Sequence, residues 1–145
     1  MSFGRLLSST DISASGLAAE RVRMEIAANN IANVHTTSTA EGGPYRRQQV
    51  AFASAMNASL GNDAADGLAG VMVKGISRDT SELPKIFNPG HPDADSDGFV
   101  SMPNVKLPME MVDLMTASRA YDANLKSLTT FRKMAEQSLS LMDVR

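Results

Sequence analysis

The chain has 145 residues, with 14 Lys plus Arg, 16 Asp plus Glu and a formal charge of −2, which leaves room for one domain with a modest core and too little for the usual two-domain enzyme layout. That near-neutral balance offers no basic field to hold the chain on DNA or on an anionic membrane, so nucleic-acid binding is not expected. The absence of Cys excludes a disulfide framework, a thiolate nucleophile and a thiolate metal site, while five Phe and two Tyr without Trp, beside ten Met, favour helices over sheets.

Met1 to Thr10 carries only the short apolar pair Leu6-Leu7 and lacks the apolar core of a cleavable signal peptide. No stretch approaches the roughly 18 apolar residues of a membrane span, so no membrane insertion is expected. Thirteen of the sixteen Gly and Pro residues lie between Gly42 and Pro103, and these breakers divide the chain into an N-terminal helical segment (1–41), a middle insertion (42–103) and a C-terminal helical segment (104–145). The expected fold is mainly α: paired long N- and C-terminal helices, coiled-coil-like, with a small irregular or β insertion between them. Residues 51–103 carry seven acids against three bases, which gives the insertion a different kind of surface.

In the first segment Ile12, Ser15, Ala19, Val22, Ile26, Asn29 and Asn33 follow a 3-4 spacing that predicts a helix from about Ile12 to Val34. Leu17, Met24, Ala27, Ile31 and Val34 widen the apolar face, so it can meet more than one neighbour. Ser9, Thr10 or Asp11 would supply the N-cap and the run His35 to Thr39 would end the helix, giving a length of about 35 Å. Three Asn in Asn29-Asn30-Ile31-Ala32-Asn33 are poor helix-interior residues, which points to side-chain hydrogen bonds with backbone or with neighbouring helices, or to C-terminal capping.

Extended pieces are expected at Gln48 to Phe52, Gly70 to Ile76 and Phe99 to Met102, with turns at Asn88-Pro89-Gly90 and Asp97-Gly98. Asn57 to Gly70 has no period and reads as a loop. The last helix starts at Pro108, which suits a first turn. Met111, Leu114, Ser118, Tyr121, Leu125, Leu128, Arg132 and Ala135 continue a 3-4 pattern over about four heptads, and a span of more than 30 residues would measure about 50 Å. The alternative is a pair of helices broken near Ser118 or Ser127. Glu110, Asp113, Arg119, Asp122 and Lys126 can form local charged pairs, Asp122 with Lys126 among them.

The most enzyme-like string is His91-Pro92-Asp93-Ala94-Asp95-Ser96-Asp97-Gly98. Asp93, Asp95, Asp97 and Gly98 match the opening of a calcium loop, but Asn104 stands where the closing bidentate Glu is needed. An acidic, Asx-rich turn is the better reading. His35 and His91 cannot make an HExxH pair, there is no GxSxG elbow, and no Gly-rich phosphate loop is present. No catalytic group, metal or cofactor is therefore expected; a metal-dependent hydrolase using His91, Asp93, Asp95 and Asp97 is the enzyme alternative. Arg46 and Arg47 beside Tyr45 suit intersubunit contacts or a solvated turn.

Several strings resemble the flagellar basal-body rod protein family. Ala28-Asn29-Asn30-Ile31-Ala32-Asn33 and the terminal helix, with Glu110-Met111-Val112-Asp113-Leu114-Met115 and Arg119-Ala120-Tyr121-Asp122-Ala123-Asn124, resemble the rod and hook proteins as a whole. Gly42-Gly43-Pro44-Tyr45-Arg46-Arg47-Gln48, Asn88-Pro89-Gly90-His91-Pro92-Asp93-Ala94-Asp95 and Pro103-Asn104-Val105 are similar to the proximal rod proteins in particular. The resemblance implies a structural subunit of the basal body rather than a catalyst. It further implies passage through the flagellar type III export machinery without a cleaved signal, a final place in the periplasmic space, and helical assembly with other copies of the chain and other rod proteins, the hook-basal-body adaptor being a further partner. Interface residues would then come from both helices and the basic turn: Ile12, Ala19, Val22, Ile26, Asn29, Asn30, Asn33, Tyr45, Arg46, Arg47, Met111, Leu114, Arg119, Tyr121, Asn124, Leu125 and Leu128. An export adaptor or chaperone that holds partners with the same helices is the alternative of a different class.

Overall fold

A computed structural model describes residues 3–54 and 70–143. The elements run α1 (Phe3–Ala32), β1 (Gln48–Ser54), β2 (Val71–Arg78), β3 (Lys85–Phe87), β4 (Phe99–Ser101) and α2 (Leu107–Asp143), so two long helices flank a small β insertion as expected. Helix α1 has 30 residues, about 45 Å at 1.5 Å per residue. It begins well before the expected start, and Ser9, Thr10 and Asp11 lie inside it rather than at its cap. Helix α2 has 37 residues, about 56 Å, and runs unbroken through Ser118 and Ser127. The short strand β3 was not anticipated, because three residues between Pro84 and Pro89 give no period to read. Of the expected loop from 57 to 70, residues 57–69 lie outside the described residues.

The helices pack antiparallel, as three crossings fix: Gly16 faces Asn124, Arg23 reaches Asp113, and Asn30 reaches Glu110. On α2 the side turned to α1 is Glu110, Leu114, Ala117, Tyr121, Asn124 and Leu128, all buried or half-buried, a seam of alternating three- and four-residue steps. It coincides with the expected stripe at Leu114, Tyr121 and Leu128 and lies one residue earlier elsewhere, so Met111, Ser118, Leu125 and Arg132 are exposed. On α1 the deeply buried positions are Ala19, Ala27 and Asn30, while Val22 and Ile26 are half-buried and Ile12 and Asn29 exposed.

The apolar core is thin: among the described residues the buried hydrophobic side chains are Ala19, Ala27, Val100 and Ala117. Small side chains let the helices approach closely, and Gly16 marks one tight crossing, where an added Cβ would stand 2.9 Å from the Asn124 amide nitrogen. Gly16→Ala asks only that one flexible amide yield and gains helix propensity of roughly 1 kcal/mol. Gly16→Leu has no space at the crossing and should lower stability by about 1–3 kcal/mol. Urea melts of the two variants, followed by far-UV circular dichroism, should therefore diverge in sign or at least in size; equal midpoints would refute the close crossing.

Strands β1 and β2 form an antiparallel ribbon, from Gln48 opposite Arg78 to Ser54 opposite Val71, with an irregularity between Ala51 and Phe52. The ribbon lies along α1 and is pinned at both ends. The Val71 amide donates to Ser15 Oγ at 3.1 Å, and the Gln48 amide donates to Asn30 Oδ1 at 2.9 Å. Strands β3 and β4 form a second, separate hairpin. Its loop is the acidic string, and the Asx turn is realised: Asp95 Oδ1 accepts from the amides of Asp97 at 3.0 Å and Phe99 at 2.8 Å. Gly98 takes φ 79°, where a Cβ would press on the Phe87 ring at 3.0 Å, so glycine is required there on both counts.

Candidate assembly site

The residues singled out in the asparagine motif and the basic turn converge on one polar clasp. Asn30 is 1% exposed, yet its amide is saturated. Its Nδ2 donates to the Gln48 carbonyl and to Glu110 Oε2, both at 2.9 Å. Its Oδ1 accepts from the Tyr45 hydroxyl and from the Gln48 amide, also at 2.9 Å. One side chain thus joins α1, the turn after it, the start of β1 and the first turn of α2, with both donors and both acceptor positions of its own amide used.

Glu110, also 1% exposed, receives its second contact from Arg47 Nε at 2.6 Å, so a buried carboxylate is matched by a guanidinium and an amide. The charges continue outward: Asp113 takes Arg23 at 2.9 Å and Arg47 at 3.6 Å. Glu110 and Asp113 therefore bridge to α1 and the basic turn instead of pairing along α2. Among the described residues the i,i+4 pair on α2 is Arg132 with Glu136, at 2.9 Å, rather than Asp122 with Lys126.

Arg46 and Arg47 face different partners. Arg46 Nη1 donates to the carbonyls of Asp79 and Ser81 at 3.3 Å, and the Arg47 amide donates to Asn104 Oδ1 at 2.8 Å. Asn104 Nδ2 in turn donates to Ser81 Oγ at 2.9 Å, so the Pro103-Asn104-Val105 string stitches the turn after β2 to the entry of α2. The amide and hydroxyl of Ser81 hold the Asp79 carboxyl below its ordinary value, with Arg47 and Gln49 adding to the effect. Burial, reinforced by the Glu110 charge, pushes the Tyr45 phenol above its ordinary value, consistent with a hydroxyl that acts here as a neutral donor. On the surface beside the clasp, Glu41 and Arg78 form a two-pronged pair that lowers the Glu41 carboxyl and raises the Arg78 guanidinium.

Asn29 and Asn33 do the capping. Asn33 Nδ2 donates to the Asn29 carbonyl at 2.9 Å, and Thr36 Oγ1 donates to Asn33 Oδ1 at 3.1 Å, which closes the end of α1. Both readings of the asparagine motif are realised, by different members of it. The remaining expected interface residues are spread along the helices: Ala19, Leu114, Tyr121, Asn124 and Leu128 serve the intramolecular seam, whereas Ile12, Met111, Arg119 and Leu125 are exposed.

Glu110, Asn104 and Gln48 were not among the expected interface residues. Glu110 was legible in principle, since it stands four residues before Leu114 and seven before Ala117, on the seam itself. Beside the clasp lies a cleft of about 380 Å³ lined by Ile26, Val50 and Phe52 as well as by the clasp charges. In the acidic hairpin His91 Nδ1 accepts from the Asp93 amide, and Asp93 accepts from Thr37 Oγ1 at 2.7 Å; these groups fold the loop and tie it to the end of α1. Among the described residues no three His, Asp or Glu side chains converge to hold a metal ion.

A helix pair locked by a polar clasp, with apolar side chains left facing outward, suits packing against other chains. Residues 11–38 match the family described as flagella basal body rod protein, and residues 96–141 match flagellar basal body rod FlgEFG protein C-terminal; the two matches cover most of α1 with the cap that follows it, and β4 with nearly all of α2. Over 94% of its length the chain is 39% identical to the flagellar basal-body rod protein FlgC of Borreliella burgdorferi and 41% identical to that of Salmonella typhimurium, in each case over 97% of the relative. The FlgC of Bacillus subtilis is 35% identical over 92% of this chain and 95% of its own. Similarity at this level across nearly the whole of both chains shows that this protein belongs to the FlgC family of flagellar basal-body rod proteins, structural and not enzymatic.

Proposed function

We propose that the chain builds the proximal rod of the flagellum by helical packing of its α1 and α2 pair against further copies and against other rod proteins. The observation that carries this reading is the outer face of α2. Met111 and Met115, at i,i+4 spacing, are 51% and 54% exposed, with Val112 at 60% beside them, all off the seam with α1. Burying such side chains is worth about 1.5–3 kcal/mol each at most, and a wall of repeated subunits would bury them many times over. The exposed positions Ile12, Arg119 and Leu125 extend the available surface, while the clasp of Asn30, Tyr45, Arg47 and Glu110 holds both helices in a fixed register behind it.

In this reading the chain reaches the periplasmic space through the flagellar type III export machinery and becomes part of the basal body there, the hook-basal-body adaptor serving as a further partner in assembly. The test is the composition of basal bodies purified from cells making a tagged chain. A rod subunit stays with the particle at a fixed stoichiometry after detergent and salt washes. An export adaptor washes away, and that outcome would remove the proposal.

A further inference from the structure

We propose that the β3–β4 hairpin is a docking knob for a second copy of the chain, seated on a basic stripe along the middle of that copy's α2. The inference rests on the reading of the chain as a self-assembling rod subunit and names one of its contacts. The hairpin carries Ile86, Phe87 and Phe99 at 52%, 64% and 40% exposure. The two rings meet edge to face with centroids 5.4 Å apart, a preferred geometry for an aromatic pair. They are also held in place, since Asp95 fixes the Phe99 amide and Gly98 lets the Phe87 ring lie against the turn. Exposed apolar rings on a pinned turn lose little freedom when they bind.

The surroundings of the rings select the partner. Between residues 82 and 99 the acids Glu82, Asp93, Asp95 and Asp97 stand against the single Lys85. On α2, Arg119, Lys126 and Lys133 recur at seven-residue spacing on the side opposite the seam with α1, and none of the three has an acidic partner among the described residues. Leu125 and Met134, 42% and 41% exposed, flank this stripe, and Asp122 is the acid beside it. An acidic, aromatic knob and a basic, apolar-edged stripe are complementary in both charge and hydrophobicity.

The knob cannot reach the stripe of its own chain. Asp93 is tied to Thr37 just beyond the end of α1, which lies beside Glu110, and the stripe begins about 14 Å and ends about 35 Å further along α2 at 1.5 Å per residue. Its occupant is therefore another copy, in a contact between unlike surfaces that can repeat from one copy to the next.

Because the chain has no Cys, introduced thiols give an unambiguous readout. Basal bodies are purified from cells carrying the full chain with Phe87→Cys and Lys126→Cys together, oxidised, and run without reductant. The proposal expects a ladder of this chain linked to itself, and no ladder from either single variant. In a second arm, Lys126→Glu with Lys133→Glu should reduce incorporation about tenfold through like-charge contact with the knob, and adding Asp97→Lys should restore part of it. Normal incorporation without a self-linked ladder, or linkage to a different protein, would overturn the inference and leave the rod reading standing. Absence of the unsubstituted chain from basal bodies would overturn both.

Discussion

Replacing Glu110 with Ala should cost the isolated chain about 3–5 kcal/mol, the scale for removing one partner of a buried ion pair. The substitution takes from Arg47 its 2.6 Å contact, leaving it the longer one to Asp113, and strips the buried Asn30 amide of one of its four hydrogen bonds, so a guanidinium is under-matched and an N–H stays unpaired in the interior. Against a total of about 5–15 kcal/mol for an ordinary domain, and with alanines forming most of the core, that loss is large enough to unfasten the helix pair. Urea denaturation monitored by circular dichroism measures it. Replacing Glu110 and Arg47 together by Met should cost distinctly less than Glu110→Ala, because no unpaired charge remains; a double variant as unstable as the single one would show that the ion pair is not what makes Glu110 important.

The second large effect falls on assembly rather than folding. Met111→Lys with Met115→Lys changes two side chains that are 51% and 54% exposed, so the isolated chain should keep its melting midpoint to within about 0.5 kcal/mol of stability per site. Incorporation into basal bodies, and with it swimming, should be lost, since two unpaired ammonium groups would have to be desolvated against a neighbour. Quantitative blotting of purified basal bodies beside a soft-agar motility assay checks this. Normal incorporation would sink the assignment of the outer α2 face as an interface.

The long helices were legible because breakers are confined to the middle of the chain and the ends carry a 3-4 period. What the period could not decide was which of two adjacent stripes faces α1. Met111 and Leu125 are more hydrophobic than Glu110 and Asn124, so hydropathy places the seam on the former, whereas the structure turns the polar pair inward because Arg47, Asn30 and the close approach at Gly16 receive them. The clasp was half visible: the Asn cluster and Tyr45-Arg46-Arg47 stood out as unusual, but their acceptors lie on distant elements, and Glu110 looked like an ordinary first-turn acid. The acidic hairpin was read correctly as an Asx turn because its carboxylates sit two residues apart, too local to need tertiary information. Strand β3 carried no such local signal and exists only through its pairing with β4.

The unbroken backbone of α2 has a mechanical meaning. From Met109 to Asp143 it contains neither Gly nor Pro, the usual sites of sharp kinks, and its Thr and Ser hydroxyls at 116, 129, 130 and 138 turn back onto carbonyls of the preceding turn, a contact that bends a helix gently without interrupting it. Such a segment has no hinge and deforms as an elastic strut, spreading strain over every peptide. A shaft walled with these struts would answer torque by winding slightly along its whole length and recovering, instead of yielding at one joint.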